Sequence, residues 1–309
     1  MDSPLKGKDY LSLTDYSAAE FQYLLDLAVE LKDKQKRGLP HASLPGKTLA
    51  MIFQKASTRT RVSFEVAMYH LGGLGMFLSA NDLQIGRGEP VQDTARVLAS
   101  YSEGILIRTF SHQEVLDLAK YSDKPVINGL TDDEHPTQAL ADLLTVYEEF
   151  GELKGKKLAF IGDGNNVAVS LMHACALAGM EIAVASPSGY GPSGKAIEEY
   201  EKMKQPGSAL TLGEDPQAAA AGAHVLYTDV WASMGQEAES KARLEALKGY
   251  TVDAALLRQA DPSAVVMHCL PAHRGEEISD EAMECGQSRV FQEAENRMHA
   301  HKAILAALL

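Results

Sequence analysis

Cysteine is scarce: Cys175, Cys269 and Cys285 are the three in 309 residues. They are too few and too scattered for a disulfide framework, and no C-x-x-C or H-E-x-x-H spacing offers a metal site. This thiol usage fits a reducing, cytoplasmic setting. Positive charge is also in deficit, with 29 Lys plus Arg against 42 Asp plus Glu and a formal net charge of -13. That balance argues against a general nucleic-acid-binding surface. Long apolar runs are missing too, since the uncharged stretch from Gly164 to Met180 holds two Asn, a Ser and a His. The opening MDSPLKGKDY lacks the basic-then-apolar order of a secretion signal, so neither a leader nor a membrane span is expected. No internal repeat or low-complexity tract is visible.

What remains is ordinary globular composition, 45% hydrophobic and 23% charged, in a chain longer than one hydrophobic core usually serves. Short apolar runs alternate with segments of helical period. TLAMIF (48–53) precedes VSFEVAMYHL, GILI (104–107) precedes a helix opened by the capping-box pattern Ser111 to Glu114, and PVIN precedes PTQALADLLTVYEEF. The alternation predicts βαβ units on a parallel sheet. It restarts after Gly151 with KLAFIGDG (157–164), a helix to Ala178, EIAVAS, a helix from Ser193, HVLYTD (224–229) and AVVMHC (264–269). QPGSALTLGEDP reads as a surface loop. The closing VFQEAENRMHAHKAILAALL reads as one amphipathic helix with no strand after it. The predicted fold is α/β: two Rossmann-like domains, each a parallel sheet flanked by helices, with the C-terminal helix returning to the first domain. Residues 1–148 plus 286–309 would form one domain and 149–285 the other.

Ligands of open parallel sheets bind beyond the carboxyl ends of the strands. After TLAMIF comes Gln54-Lys55-Ala56-Ser57-Thr58-Arg59-Thr60-Arg61, a hydroxyl-rich cationic turn entering a helix. Free N–H groups, the helix dipole and guanidinium forks converge there, as a phosphate requires. An N-cap with solvated arginines is the plainer reading. Arg108 ends GILI, and His135 stands just before Pro136, a residue favoured at the first helical position, with Gln138 one turn inside. Each has a bland explanation alone, as a salt-bridge partner or a cap. Three such groups at three successive strand ends argue for a shared anion site.

The second half supplies different chemistry. Gly162-Asp163-Gly164-Asn165-Asn166-Val167 imitates the start of a dinucleotide fingerprint, but Val167 replaces the third glycine and Ser186-Pro187 ends the next strand without a ribose-binding acid. NAD is therefore disfavoured. Asn165 or Asn166 can cap a helix, or Asn166 can offer its amide to a small ligand. Asp229 is followed by Val230-Trp231-Ala232-Ser233-Met234-Gly235, a loop able to hold an ammonium and a carboxylate together. His268-Cys269-Leu270-Pro271 sets a thiol at a strand end, where it is either an inert core residue or a functional one.

In this order and spacing the residues resemble the ornithine carbamoyltransferase family over essentially the whole chain. Ser57 to Arg61 is similar to the family's carbamoyl-phosphate motif and His135-Pro136-Thr137-Gln138 to its second, both shared across carbamoyltransferases. Asp229 with Ser233-Met234-Gly235, and His268-Cys269-Leu270-Pro271, resemble the ornithine-type signatures. The resemblance implies transfer of a carbamoyl group from carbamoyl phosphate to the side-chain amine of L-ornithine, giving L-citrulline and phosphate in arginine metabolism, with no metal or organic cofactor. It implies that Ser57, Thr58, Arg59, Thr60, Arg108, His135 and Gln138 grip carbamoyl phosphate, joined by Cys269, Leu270 and Arg297. Gln84 would reach a neighbouring subunit's site, which implies a homotrimer or a multiple of trimers. Asn166, Asp229, Ser233 and Met234 would hold ornithine. Arg108, His135 and Cys269 would be catalytic, with Cys269 either accepting the amine proton or orienting the amine. Gln54 departs from the Glu that many relatives carry.

Three alternatives stay open on sequence alone. A carbamoyltransferase for another amine, such as putrescine or an acylated ornithine, would differ in the Ser233-Met234-Gly235 loop. An NAD(P)-dependent oxidoreductase is disfavoured by Val167 and Ser186, and a silent binding subunit by the presence of Arg108, His135 and Cys269.

Overall fold

The computed structural model describes residues 3–232 and 239–309, with the backbone alone at Ser240. The chain divides into two compact units, Met1–Leu144 with Asn296–Leu309, and Thr145–Glu295. Both divisions fall inside helices rather than at the predicted 148/149 and 285/286 joins.

The first unit holds β1 (Thr48–Phe53), β2 (Leu74–Ser79), β3 (Gly104–Arg108) and β4 (Val126–Leu130), all parallel, in the order β2-β1-β3-β4. Around them run α1 (Ala18–Lys36), α2 (Thr58–His70), α3 (Val91–Tyr101), α4 (His112–Tyr121) and the start of α5 (Pro136–Phe150). The second unit holds β5 (Lys157–Ile161), β6 (Glu181–Ala185), β7 (Ala209–Gly213), β8 (Val225–Thr228) and β9 (Val265–His268), parallel in the order β7-β6-β5-β8-β9. Its helices are α6 (Asn166–Ala178), α7 (Gly194–Met203), α8 (Pro216–Ala220), α9 (Ser240–Ala246), α10 (Ala254–Leu257) and α11 (Asp280–Glu284). The last helix, α12 (Val290–Leu308), begins in the second unit and ends in the first.

Central strands covered on both faces read as continuous apolar runs, which is why β1, β3, β5 and β8 stand out in the sequence. Ile52, Ile105, Ile107 and Val126 share one buried cluster with Ala95, Ala99, Val115 and Leu118 from α3 and α4. The segment read as a surface loop is instead the edge strand β7, paired with β6 from Ala209 opposite Glu181 to Gly213 opposite Ala185. Its residues are largely exposed, Leu212 included, so the apolar signal of a buried strand is absent.

Ser111 takes the N-cap position of α4, yet its side chain makes no capping hydrogen bond. The predicted partner, Glu114, turns away: it accepts from the Gln54 amide at 2.5 Å, while its other oxygen lies 2.5 Å from the Thr109 hydroxyl. A Glu at 54 would set two carboxylates against each other here, so the amide of Gln54 has a local electrostatic reason.

The C-terminal helix is not amphipathic in the expected sense. From Asn296 onward every residue is buried or half-buried. Its polar groups enter the first unit with partners, as buried polar groups must. Asn296 Oδ1 accepts from Lys32 Nζ at 2.6 Å, Arg297 donates to Thr60 Oγ1 at 2.7 Å, and Lys302 donates to Gln35. The His301 ring stacks on Phe64 with 3.7 Å between centroids.

Burial holds the imidazoles of His135 and His301 well below their ordinary pKa and that of His299 at about 3. Unfolding lets each titrate near 6.5, so below that pH the unfolded chain binds more protons than the folded one. Stability should therefore be full above pH 6.5 and fall on acidification, by about 1.4 kcal/mol per pH unit for each histidine. Urea unfolding across pH 4 to 7 checks this, with His301→Leu flattening the slope by about one proton; an unchanged slope in the variant contradicts it.

Candidate functional site

Sheet order creates a topological switch point in each unit, between β1 and β3 and between β5 and β8. Loops leaving such adjacent strand ends diverge and leave room for a ligand. Most of the predicted residues that the structure describes lie at or beside these two places, and Gln84 does not.

In the first unit the chain leaving β1 is tied to the end of β3: the N–H groups of Gln54 and Lys55 both donate to the Arg108 carbonyl, at 2.9 and 3.4 Å. Ser57 then caps α2, its Oγ accepting from Thr60 N at 3.2 Å. The capping reading is correct for this side chain, and Arg297, which the sequence alone would leave on an exposed helix face, is buried. Arg61 is the outward member of the motif, paired with Glu65 at 3.1 Å and lying over the Phe77 ring. Thr58 opens α2 and is exposed. Arg108 is buried at the last position of β3, where the pairing with β4 shifts register between Ile107 and Arg108.

His135 precedes α5, whose start is anchored where Tyr10 donates to the Pro136 carbonyl at 3.2 Å. Gln138, one turn in, is buried and donates to Asp142 Oδ1 at 2.7 Å. Burial is the main reason that His135 resists protonation; the positive charges of Arg297 and Arg108 add to it, with His301 and Arg59 behind them. His135 is therefore a neutral imidazole at physiological pH, and its N–H is a donor without a net charge. Gln84 is not brought to this group: it is exposed in a 3-10 turn, Gln84–Arg87, closed by Gly88 at φ +94°.

In the second unit the turn after β5 supplies Asn165 as the N-cap of α6, with Oδ1 accepting from Val167 N and Ala168 N at 3.0 and 3.2 Å. That leaves Asn166 as the first helical residue, half-buried. The Asn165 amide donates onward to Asp229 Oδ2 at 2.8 Å, and the Cys269 thiol donates to Asp229 Oδ1 at 3.0 Å. Asp229 and Cys269 are both buried, just past β8 and β9. Ser233 and Met234 lie outside the described residues.

The turn after β9 is held from behind. His268 Nε2 lies 3.0 Å from Glu277 Oε1, and Nδ1 accepts from Leu270 N at 2.8 Å. Leu270 has φ +59°, a left-handed conformation that costs a non-glycine residue about 1 kcal/mol and needs such support. Glu293 accepts from His268 N at 2.9 Å and from the Tyr227 hydroxyl at 3.0 Å. Asn165, Glu277 and Glu293 were not picked out by sequence reasoning. Asn165 was visible as a cap but not as the holder of Asp229, and nothing in the local pattern marks Glu277 or Glu293 as buried.

Among the described residues no helix is long and apolar enough to cross a membrane. Residues 8–148 match the family model of the aspartate/ornithine carbamoyltransferase carbamoyl-P binding domain, and residues 154–308 that of the Asp/Orn binding domain. A relative from Anoxybacillus flavithermus named ornithine carbamoyltransferase is 56% identical over 306 residues, 99% of this chain and 98% of its own. The solved ornithine carbamoyltransferase of Pyrococcus furiosus superposes with a TM-score of 0.95 at 51% identity, covering 100% of this chain and 98% of that one. That of Gloeobacter violaceus gives 0.85 at 51% identity, covering 97% and 98%. With both halves matched and relatives of this identity running its full length, the chain belongs to the ornithine carbamoyltransferase family.

Proposed function

We propose that the protein transfers the carbamoyl group of carbamoyl phosphate to the side-chain amine of L-ornithine, giving L-citrulline and phosphate. One observation carries the reading: a neutral, buried His135 lies in the field of Arg59, Arg108 and Arg297 at the switch point of the first sheet. Concentrated positive charge beside an uncharged donor suits a substrate that is both a phosphate dianion and a carbonyl. The Ser57 to Thr60 turn and Arg59 would take the phosphoryl oxygens at the start of α2. Thr60 Oγ1 accepts from Arg297, so its own proton remains to be donated. Gln138 would meet the carbamoyl amide.

An alkylammonium of the lysine kind titrates near 10.4, so ornithine must shed a proton before its nitrogen attacks. The N–C bond forms, the carbonyl oxygen becomes an oxyanion, and the bond from the carbamoyl carbon to the bridging oxygen then breaks, the attacking nitrogen giving up its second proton to the departing phosphate. Arg108, His135 and Thr60 are the donors suited to that oxyanion, each such donor typically contributing about 3 to 4 kcal/mol. Asp229, with Asn165 and Cys269 each on one oxygen, is suited to the α-ammonium together with Ser233, while Asn166 and the Met234 backbone would take the carboxylate. Because Cys269 donates to a carboxylate, a thiolate there would face a like charge. That favours Cys269 as an orienting thiol over a proton acceptor.

A cytoplasmic setting is supported by three free cysteines. Assembly into trimers or their multiples, with Gln84 reaching a neighbour's site, is supported by exposed Val62, Tyr69, Leu74, Val97 and Tyr101 on α2, the edge strand β2 and α3.

A colorimetric assay for ureido product with ornithine, acetylornithine, putrescine and aspartate should give product with ornithine; a preference for another amine would redraw the Asp229 site, and no product would sink the reaction. Cys269→Ala should lower kcat about a hundredfold, whereas near-normal turnover removes Cys269 from the mechanism. Light scattering should give three times the chain mass or a multiple of it, and a fully active monomer would refute the shared site.

A further inference from the structure

Arg243, on α9 in the second unit, is a charged residue that neither the motifs nor the proposed chemistry uses. Its side chain is only 12% exposed, and its NH1 donates to Asp163 Oδ2 at 2.6 Å. The same nitrogen lies 3.5 Å from the Trp231 carbonyl, and Nε pairs with Glu239 at 3.3 Å. The guanidinium faces the Tyr190 ring, 5.4 Å from its centroid.

Two of these partners, Asp163 and Trp231, belong to the two loops that flank the switch point of the second sheet. Asp163 sits in the turn after β5, and its carbonyl accepts from Asn165 N at 2.7 Å. Asn165 in turn donates to Asp229. Trp231 lies two residues beyond Asp229 on the other side, buried, with its indole against the space beside Gly162. The turn has little freedom to shift elsewhere: a Cβ at Gly164 would come within 2.4 Å of Pro192 N, and Gly164 N donates to the Tyr190 carbonyl at 2.7 Å. One guanidinium thus joins the exit of β5, the exit of β8, the loop after β6 and Glu239, at the far end of the segment that contains Ser233 and Met234.

The pairing also sorts two acids. Asp163 and Asp229 are close enough that the charge of Asp229 adds to the burial that raises the Asp163 pKa, and Arg243 opposes both effects. With Asp163 engaged by Arg243, Asp229 is the carboxylate left for an ammonium. Without Arg243, a second anion stands beside it and both loops lose their common anchor.

We propose that Arg243 is a positioning residue for the amino-acid substrate, bridging Asp163 and the Trp231 carbonyl so that Asn165 and Asp229 hold their places. The proposal rests on the ornithine reading above. In steady-state assays Arg243→Gln should raise the ornithine KM at least tenfold with a smaller change in kcat. The dissociation constant of carbamoyl phosphate, measured without ornithine from its protection against thermal unfolding, should stay within twofold. Arg243→Lys should recover part of the loss, and adding Asp163→Asn to Arg243→Gln should cost little more, since the two act as one unit. An ornithine KM within twofold of the parent, or a parallel loss of carbamoyl phosphate binding, overturns the clamp alone. Absence of product from the parent chain overturns the reaction reading and the clamp with it.

Discussion

Parallel strands are added to a sheet on one side or the other of those already present, and a change of side leaves two neighbouring strand ends whose loops part. Both sheets make that change once, at β1/β3 and at β5/β8. The rest follows from it. Only there can a helix N-terminus, a strand-end side chain and a third loop point at a common volume without backbone in the way. Each unit fills the volume at its own switch point, and the two do so with opposite chemistry. One gathers guanidinium groups around an uncharged imidazole, and the other gathers neutral donors around a buried carboxylate. Anion chemistry and cation chemistry are thus assigned to separate sheets, so neither set of charges cancels the other within its own unit.

How far this was legible depends on what local sequence encodes. Strands buried on both faces announce themselves: TLAMIF is β1 residue for residue, and KLAFIGDG begins where β5 begins and runs three residues past its end at Ile161. Edge strands do not: β7 sets Leu210 and Leu212 among Ala, Thr and Gly on a largely exposed surface, too short and too mixed a run to stand out, so it read as a loop. The Ser111–Glu114 spacing satisfied a capping rule, but tertiary contacts with Gln54 and Thr109 claimed the glutamate. Local rules lose when a buried partner offers a stronger bond.

The site residues divide the same way. Ser57, Arg108, His135, Asp229 and Cys269 lie at strand ends or helix starts, positions that period and capping identify. Arg297 was legible only through resemblance, because a lone arginine in a helical run carries no sign of burial, and its contact with Thr60 spans 237 positions. Glu277 and Glu293 were invisible for that reason too: what makes them important is the desolvated backbone and imidazole they satisfy, and those neighbours are remote in sequence or in loop geometry.

The split of α12 between the units bears on how the protein is made. The second unit is one continuous stretch, Thr145–Glu295, and can acquire its core as soon as that stretch has been synthesised. The first is not: its opening segment donates from Gly7 N to the Leu308 carbonyl, and Phe64 is covered by His301. The strands and helices of the first unit must therefore wait, with part of their core open, for the residues of α12, which are translated after the whole of the second unit. Folding order runs against chain order, and the long interval between partners makes the first unit the slower and more exposed of the two on the ribosome.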